Sequence, residues 1–215
     1  MSIIIKNSSG GGITLDSSTT ANETLALPAG GGAILSDTST LASSKLSGAL
    51  PAIDGGSLTG ISGISLGTAV ATTSGTSIDF TGIPAGVKRI TVMFNGVSTN
   101  GSSILQVQLG DSGGIENTGY VSNGWTANTN NTSSTTGLLL GGGSGTSYTR
   151  NGIAQISLIG SNLYSFSYSG GVSVAGGGEV AGGTKTLSDT LTKVRLTTVN
   201  GTDTFDAGSV NISWE

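Results

Sequence analysis

Apolar residues recur at every second position through the last two thirds of this chain. Ile78 and Phe80 share one face of Ser77–Phe80, and Ile90, Val92 and Phe94 share one face of the next run. Leu105, Val107 and Leu109 alternate with Gln106 and Gln108; Ala154, Ile156 and Leu158 follow; Tyr164, Phe166 and Tyr168 alternate with serines. Val194 with Leu196, and Val210, Ile212 and Trp214, complete the series. A period of two is the signature of half-buried strands. The runs stop at Gly, Asn, Asp and Ser, as at Asn95-Gly96, Gly110–Gly114, Gly160–Asn162 and Asn200-Gly201, which are turn sequences. Eight to ten short strands in the C-terminal part predict an antiparallel β-sandwich, jelly-roll-like, large enough to hold its own core. The Tyr164-Phe166-Tyr168 stripe and Trp214 are expected to face that core, and Leu138-Leu-Leu140 to form a buried strand.

The first 66 residues read differently. Short apolar clusters such as Ile3–Ile5, Ile13–Leu15 and Leu25–Leu27 are separated by Gly, Ser and Thr, with no aromatic residue. Such a segment buries too little surface to offset about 1–2 kcal/mol of backbone entropy per residue. It is expected to need partners, and copies of itself are the nearest supply. Ser39 to Leu46 carries cap and stop signals for one short helix. The division expected is therefore 1–66, a weak stem, and 67–215, a head.

Composition narrows the chemistry. Gly, Ser and Thr fill nearly half of the 215 positions, 9% are charged, and the net charge is −4. Gly, Ser and Thr are poor helix formers, so the balance supports an all-β chain. With no Cys and no His there is no thiolate nucleophile, Ser-His-Asp triad or His-ligated metal. No enzyme, no cofactor and no metal is the expectation. Twelve acidic against eight basic residues argue against nucleic acid. No apolar run reaches the length of a signal core or a membrane span, so synthesis in a cytoplasm without membrane insertion is expected.

Lys45–Ile61, reading KLSGALPAIDGGSLTGI, resembles the stem segment of tailed-bacteriophage tail fibre proteins. Ile4–Leu15 and Thr24–Pro28 resemble their N-terminal attachment regions, and Gly82–Val92 and Phe205–Glu215 resemble the β-sandwich at fibre tips. The resemblance implies a homotrimer on the virion, a tail appendage assembled in the host cytoplasm, docked to other virion proteins through its N-terminal region. In such a trimer Leu46, Leu50, Ile53, Leu58 and Ile61 would form a shared stem core. A flexible Gly/Ser linker is the competing reading of that stretch. The runner-up role is a capsid decoration or head-fibre protein clamping neighbouring capsid subunits.

Within the head, Tyr120–Thr132 is the most polar and least strand-like stretch. Trp125 there either packs beneath its own loop or stands exposed beside amides, where a ring can stack on a sugar. Tyr120, Asn123, Trp125, Asn128 and Asn130 are thus the candidate receptor-binding residues, with host-surface carbohydrate as the expected partner. The Gly141–Gly145 and Gly176–Gly183 runs read as turns and hairpin tips rather than phosphate loops, with the lining of a shallow groove or mobile apical loops as the rival reading. Asp111 with Glu116, and Asp203 with Asp206, are the close carboxylate pairs, read as solvated turn residues with a hard cation as the rival reading.

Overall fold

The computed structural model describes residues 3–6, 12–15, 63–127, 131–146, 148–173 and 177–215, and the chain divides into units Met1–Leu58 and Thr59–Glu215. In the first unit β1 (Ile3–Lys6) and β2 (Gly12–Leu15) pair antiparallel, Ile3 opposite Leu15. The expected helix at Ser39–Leu46 and the stem residues Leu46, Leu50, Ile53, Leu58 and Ile61 lie outside the described residues.

The second unit is all-β among its described residues. Its strands are β3 (Ser65–Leu66), β4 (Val70–Ala71), β5 (Ser77–Thr81), β6 (Arg89–Thr99), β7 (Leu105–Asp111), β8 (Gly114–Ile115), β9 (Tyr120–Thr126) and β10 (Thr132–Ser134). They continue with β11 (Leu138–Leu139), β12 (Arg150–Gly160), β13 (Leu163–Val172), β14 (Gly177–Thr186), β15 (Lys193–Thr198) and β16 (Phe205–Trp214). The larger sheet runs β10-β9-β14-β13-β12-β6-β16-β3, with β4 also on β16. The smaller runs β11-β7-β15-β5, with β8 on β7. Every pairing is antiparallel. The head's sheet thus begins at Ser65, within the segment assigned to the stem.

Alternation builds the core as expected. Ile90, Val92 and Phe94 of β6, Ala154 and Ile156 of β12, and Tyr164, Phe166 and Tyr168 of β13 meet Leu105, Val107 and Leu109 of β7 and Val194 and Leu196 of β15. Phe94 and Tyr168 stack edge to face, centroids 5.9 Å apart. Trp214 packs against this core, and Leu138, Leu139 and Leu140 are buried.

Two expectations change. Gln106 and Gln108 are buried rather than solvent-facing, because Thr136 and Thr198 supply their partners: Gln108 donates to the Thr136 carbonyl at 2.9 Å, and Gln106 accepts from the Thr136 hydroxyl at 3.2 Å. Of the Gly176–Gly183 run, Gly177 onward belongs to the ten-residue strand β14, flanked on both sides, instead of a hairpin tip. Close packing is the reason. A Cβ on Gly183 would overlap the Val121 carbonyl oxygen and stand 3.1 Å from Leu138.

Candidate functional site

β9 is the strand that sequence reading took for a loop. Its polar residues are tolerated because those facing inward are small and satisfied: the Ser122 hydroxyl accepts from the Leu139 amide at 2.9 Å, and Gly124 lies against Gly141. Alternation along β9 puts Tyr120, Ser122, Gly124 and Thr126 inside and Val121, Asn123 and Trp125 outside.

The candidate residues therefore separate. Tyr120 is a core residue, 1% exposed, and does not belong to a binding surface. Its hydroxyl accepts from the Leu109 amide at 2.7 Å and donates to the Glu116 carbonyl at 2.8 Å, while the Lys185 ammonium sits over its ring at 5.2 Å. Burial drives this phenol far above the ordinary range, so it stays protonated. Trp125 is 44% exposed and Asn123 is exposed beside it. Asn128 and Asn130 lie outside the described residues.

Cross-strand register completes the surface. Trp125 stands opposite Val180, itself 49% exposed, and Asn123 opposite Gly182. With Asn131 these residues line a shallow depression of about 400 Å³. Gly182 contributes no side chain, so the floor beside the indole is bare backbone. Asn131 belongs to the polar Tyr120–Thr132 stretch and Val180 and Gly182 to the Gly176–Gly183 run, but that the two segments meet depends on a pairing across more than fifty residues, which no local pattern announces.

A charged network holds this surface from beneath. Thr126 and Glu179 are register partners one position beyond Trp125 and Val180, and both point inward. The Thr126 hydroxyl donates to Glu179 Oε1 at 3.0 Å and accepts from the Gly142 and Gly143 amides, each at 2.9 Å. Arg150 Nε donates to Glu179 Oε2 at 3.0 Å, and Arg150 Nη2 to the Gly143 carbonyl at 2.6 Å. Glu179 is 1% and Arg150 3% exposed. Burial pushes the Glu179 carboxyl up, and the Arg150 charge only partly offsets it. The Gly141–Gly145 run is consequently a strap bound to a buried ion pair. Gly141 has φ +85°, and a Cβ there would stand 2.6 Å from Glu179 Oε1. Only glycine fits.

No family model, curated protein or solved structure gives a significant match to this chain.

The carboxylate pairs already have partners. Asp111, 4% exposed, accepts from the Ser188 hydroxyl at 2.7 Å and the Gly113 amide at 2.8 Å. Glu116 accepts from the Ser188 amide and hydroxyl and pairs with the Lys185 ammonium. This pair is a structural lock rather than solvated turn residues. Asp203 accepts from the Ser103 amide and the Asn200 amide, and Asp206 from the Ser98 hydroxyl. No cluster of three metal-ligating side chains occurs among the described residues.

The lock makes stability pH-dependent. Hydrogen bonds from Ser188, then Gly113, lower the Asp111 carboxyl. At Glu116 burial raises the carboxyl, but Lys185 and Ser188 outweigh it and the group ends below its usual value. Depressed folded values mean stability that is complete above the unfolded carboxylate range, about pH 4, and is lost as pH falls through the folded values. Urea unfolding between pH 6 and pH 2.5 is expected to show this loss, and Asp111→Asn with Glu116→Gln to flatten the slope. An unchanged slope in the double variant would place the acid sensitivity elsewhere.

Proposed function

We propose that this chain is a virion appendage protein, a homotrimeric tail fibre whose β-sandwich head attaches to glycan on the host cell surface. The observation that carries the reading is Trp125, an exposed indole set between Asn123 and Val180 over the bare floor of Gly182. An indole offers an apolar face to a sugar's C–H groups, and neighbouring amides bond its hydroxyls. The site is held on strands, and the buried Arg150–Glu179 pair fixes it from below, so little freedom is lost on binding. The likeness of Lys45–Ile61 and the chain's ends to tail fibre stems and tips, and the partner-dependent composition of the first 66 residues, support the trimer and the virion setting. Single shallow contacts are weak; three heads per fibre would combine them through effective concentration.

The test compares wild type with Trp125→Ala on host cells. Light scattering is expected to return three times the 21.0 kDa chain mass for both proteins. The variant should bind cells at least about tenfold more weakly, the loss of roughly 1.4 kcal/mol at one anchor. A monomer in solution would remove the trimer, and unchanged cell binding would remove the site.

A further inference from the structure

The outer face of the large sheet carries more than the Trp125 depression. Register aligns one continuous row of outward residues across it: Asn123, Gly182, Ser167, Gln155, Thr91 and Ser213, each the direct partner of the next. The row crosses β9, β14, β13, β12, β6 and β16, so at about 4.8 Å per strand it is about 24 Å long. Apart from the bare Gly182, its side chains are amides and hydroxyls, mostly exposed. The adjoining row on the same face is apolar at intervals: Trp125 opposite Val180, then Ser169, then Ile153 opposite Met93. Ile153 is 53% exposed. A second depression, about 250 Å³, closes the far end around Ile64, Gln155, Ser213 and Trp214.

Charge is nearly absent along both rows. Arg89 and Glu215, which border the second depression, are paired with each other. A face with a hydrogen-bonding row beside an apolar row, and no unpaired charge, complements a chain that is itself neutral and two-sided. Unbranched sugar polymers have that character, with hydroxyls along their edges and C–H groups on their faces.

From this we infer that the outer face binds an extended stretch of a neutral, unbranched polysaccharide, laid across the strands from Trp125 to the Gln155–Ser213 depression. The inference rests on the glycan-binding reading of Trp125 and deepens it from one sugar contact to a series of subsites. Trp125 is the anchor. Gln155, whose amide reaches the Ser157 hydroxyl at 3.1 Å, is the specificity residue of the far subsites. Ser167 lies midway, where any bulky side chain would stand in the path of the polymer.

The experiment uses the full chain and three neutral series, cello-, malto- and chito-oligosaccharides from disaccharide to hexasaccharide, with binding read by calorimetry. At least one series is expected to bind at least about tenfold more tightly as hexasaccharide than as disaccharide. Ser167→Trp and Gln155→Ala should each abolish that gain while leaving disaccharide binding within about twofold of wild type. Trp125→Ala should weaken every length. Equal affinity for all lengths, or a length gain that survives Ser167→Trp, overturns the extended site and leaves the Trp125 anchor standing. Loss of host-cell binding in Trp125→Ala with no response to any series also overturns it. No response together with unchanged cell binding overturns both readings. Acrylamide quenching of Trp125 fluorescence, read in a Trp214→Phe background, covers the remaining occupant. A shielded indole in the assembled protein would mean that a second copy covers this face, and would overturn the inference too.

Discussion

Arg150→Ala is expected to destabilise the head by about 3–5 kcal/mol, the cost of leaving a buried partner charge without compensation. Three observations set that size. The guanidinium is 3% exposed, it bonds both oxygens of a carboxylate that is 1% exposed, and it holds the Gly143 carbonyl. Removing it strands Glu179 and frees one tie of the glycine strap. Because burial already raises the Glu179 carboxyl, lowering the pH lets it take up a proton, so the deficit should shrink in mild acid. Replacing both charges with apolar side chains, Arg150→Met with Glu179→Leu, should recover most of the loss. Urea unfolding at pH 7 and pH 5 measures all three. A loss below about 1 kcal/mol in Arg150→Ala would mean that the pair is solvated and that Trp125 has no rigid support.

The second large effect contrasts two aromatic residues on one strand. Tyr120→Ala should cost about 3–5 kcal/mol, the range for truncating a fully buried aromatic. Its hydroxyl joins Leu109 and Glu116, so the loss includes stranded hydrogen-bond partners as well as a cavity. Trp125→Ala, five residues on and facing outward, should change stability by no more than about 0.5 kcal/mol. Thermal unfolding of the two variants decides the matter. Similar losses would mean that Trp125 packs inward and that β9 offers no binding face.

Much of the head was legible from alternation. Runs such as Ile90-Val92-Phe94 and Tyr164-Phe166-Tyr168 carry large apolar side chains at every second position, and burial follows parity directly. β9 was illegible because its inward positions beyond Tyr120 are Ser, Gly and Thr, so most of its period of two has no hydrophobic contrast. Its strand character comes from neighbours: β14 on one side, β10 on the other, and the Gly141–Gly145 strap beneath. β14 was hidden for the same reason, being built around glycines chosen for close approach. Tyr120 was assigned to the surface because a polar tip and polar flanks look alike in a loop and at the start of a buried strand. The Arg150–Glu179 pair joins residues 29 apart in two strands that are not neighbours in the sheet, and no local pattern announces such a meeting.

The position of β16 governs how the head is made. This strand lies between β6 and the β3–β4 edge, and Trp214 closes the core from there. While the chain is still being synthesised, β6 has β12 on one side and an open edge on the other. Pairings of such long sequence separation form late and slowly. Nascent heads on neighbouring ribosomes therefore present a bare strand edge until Phe205–Trp214 emerges, and each chain's own β16 must win that edge before another copy does.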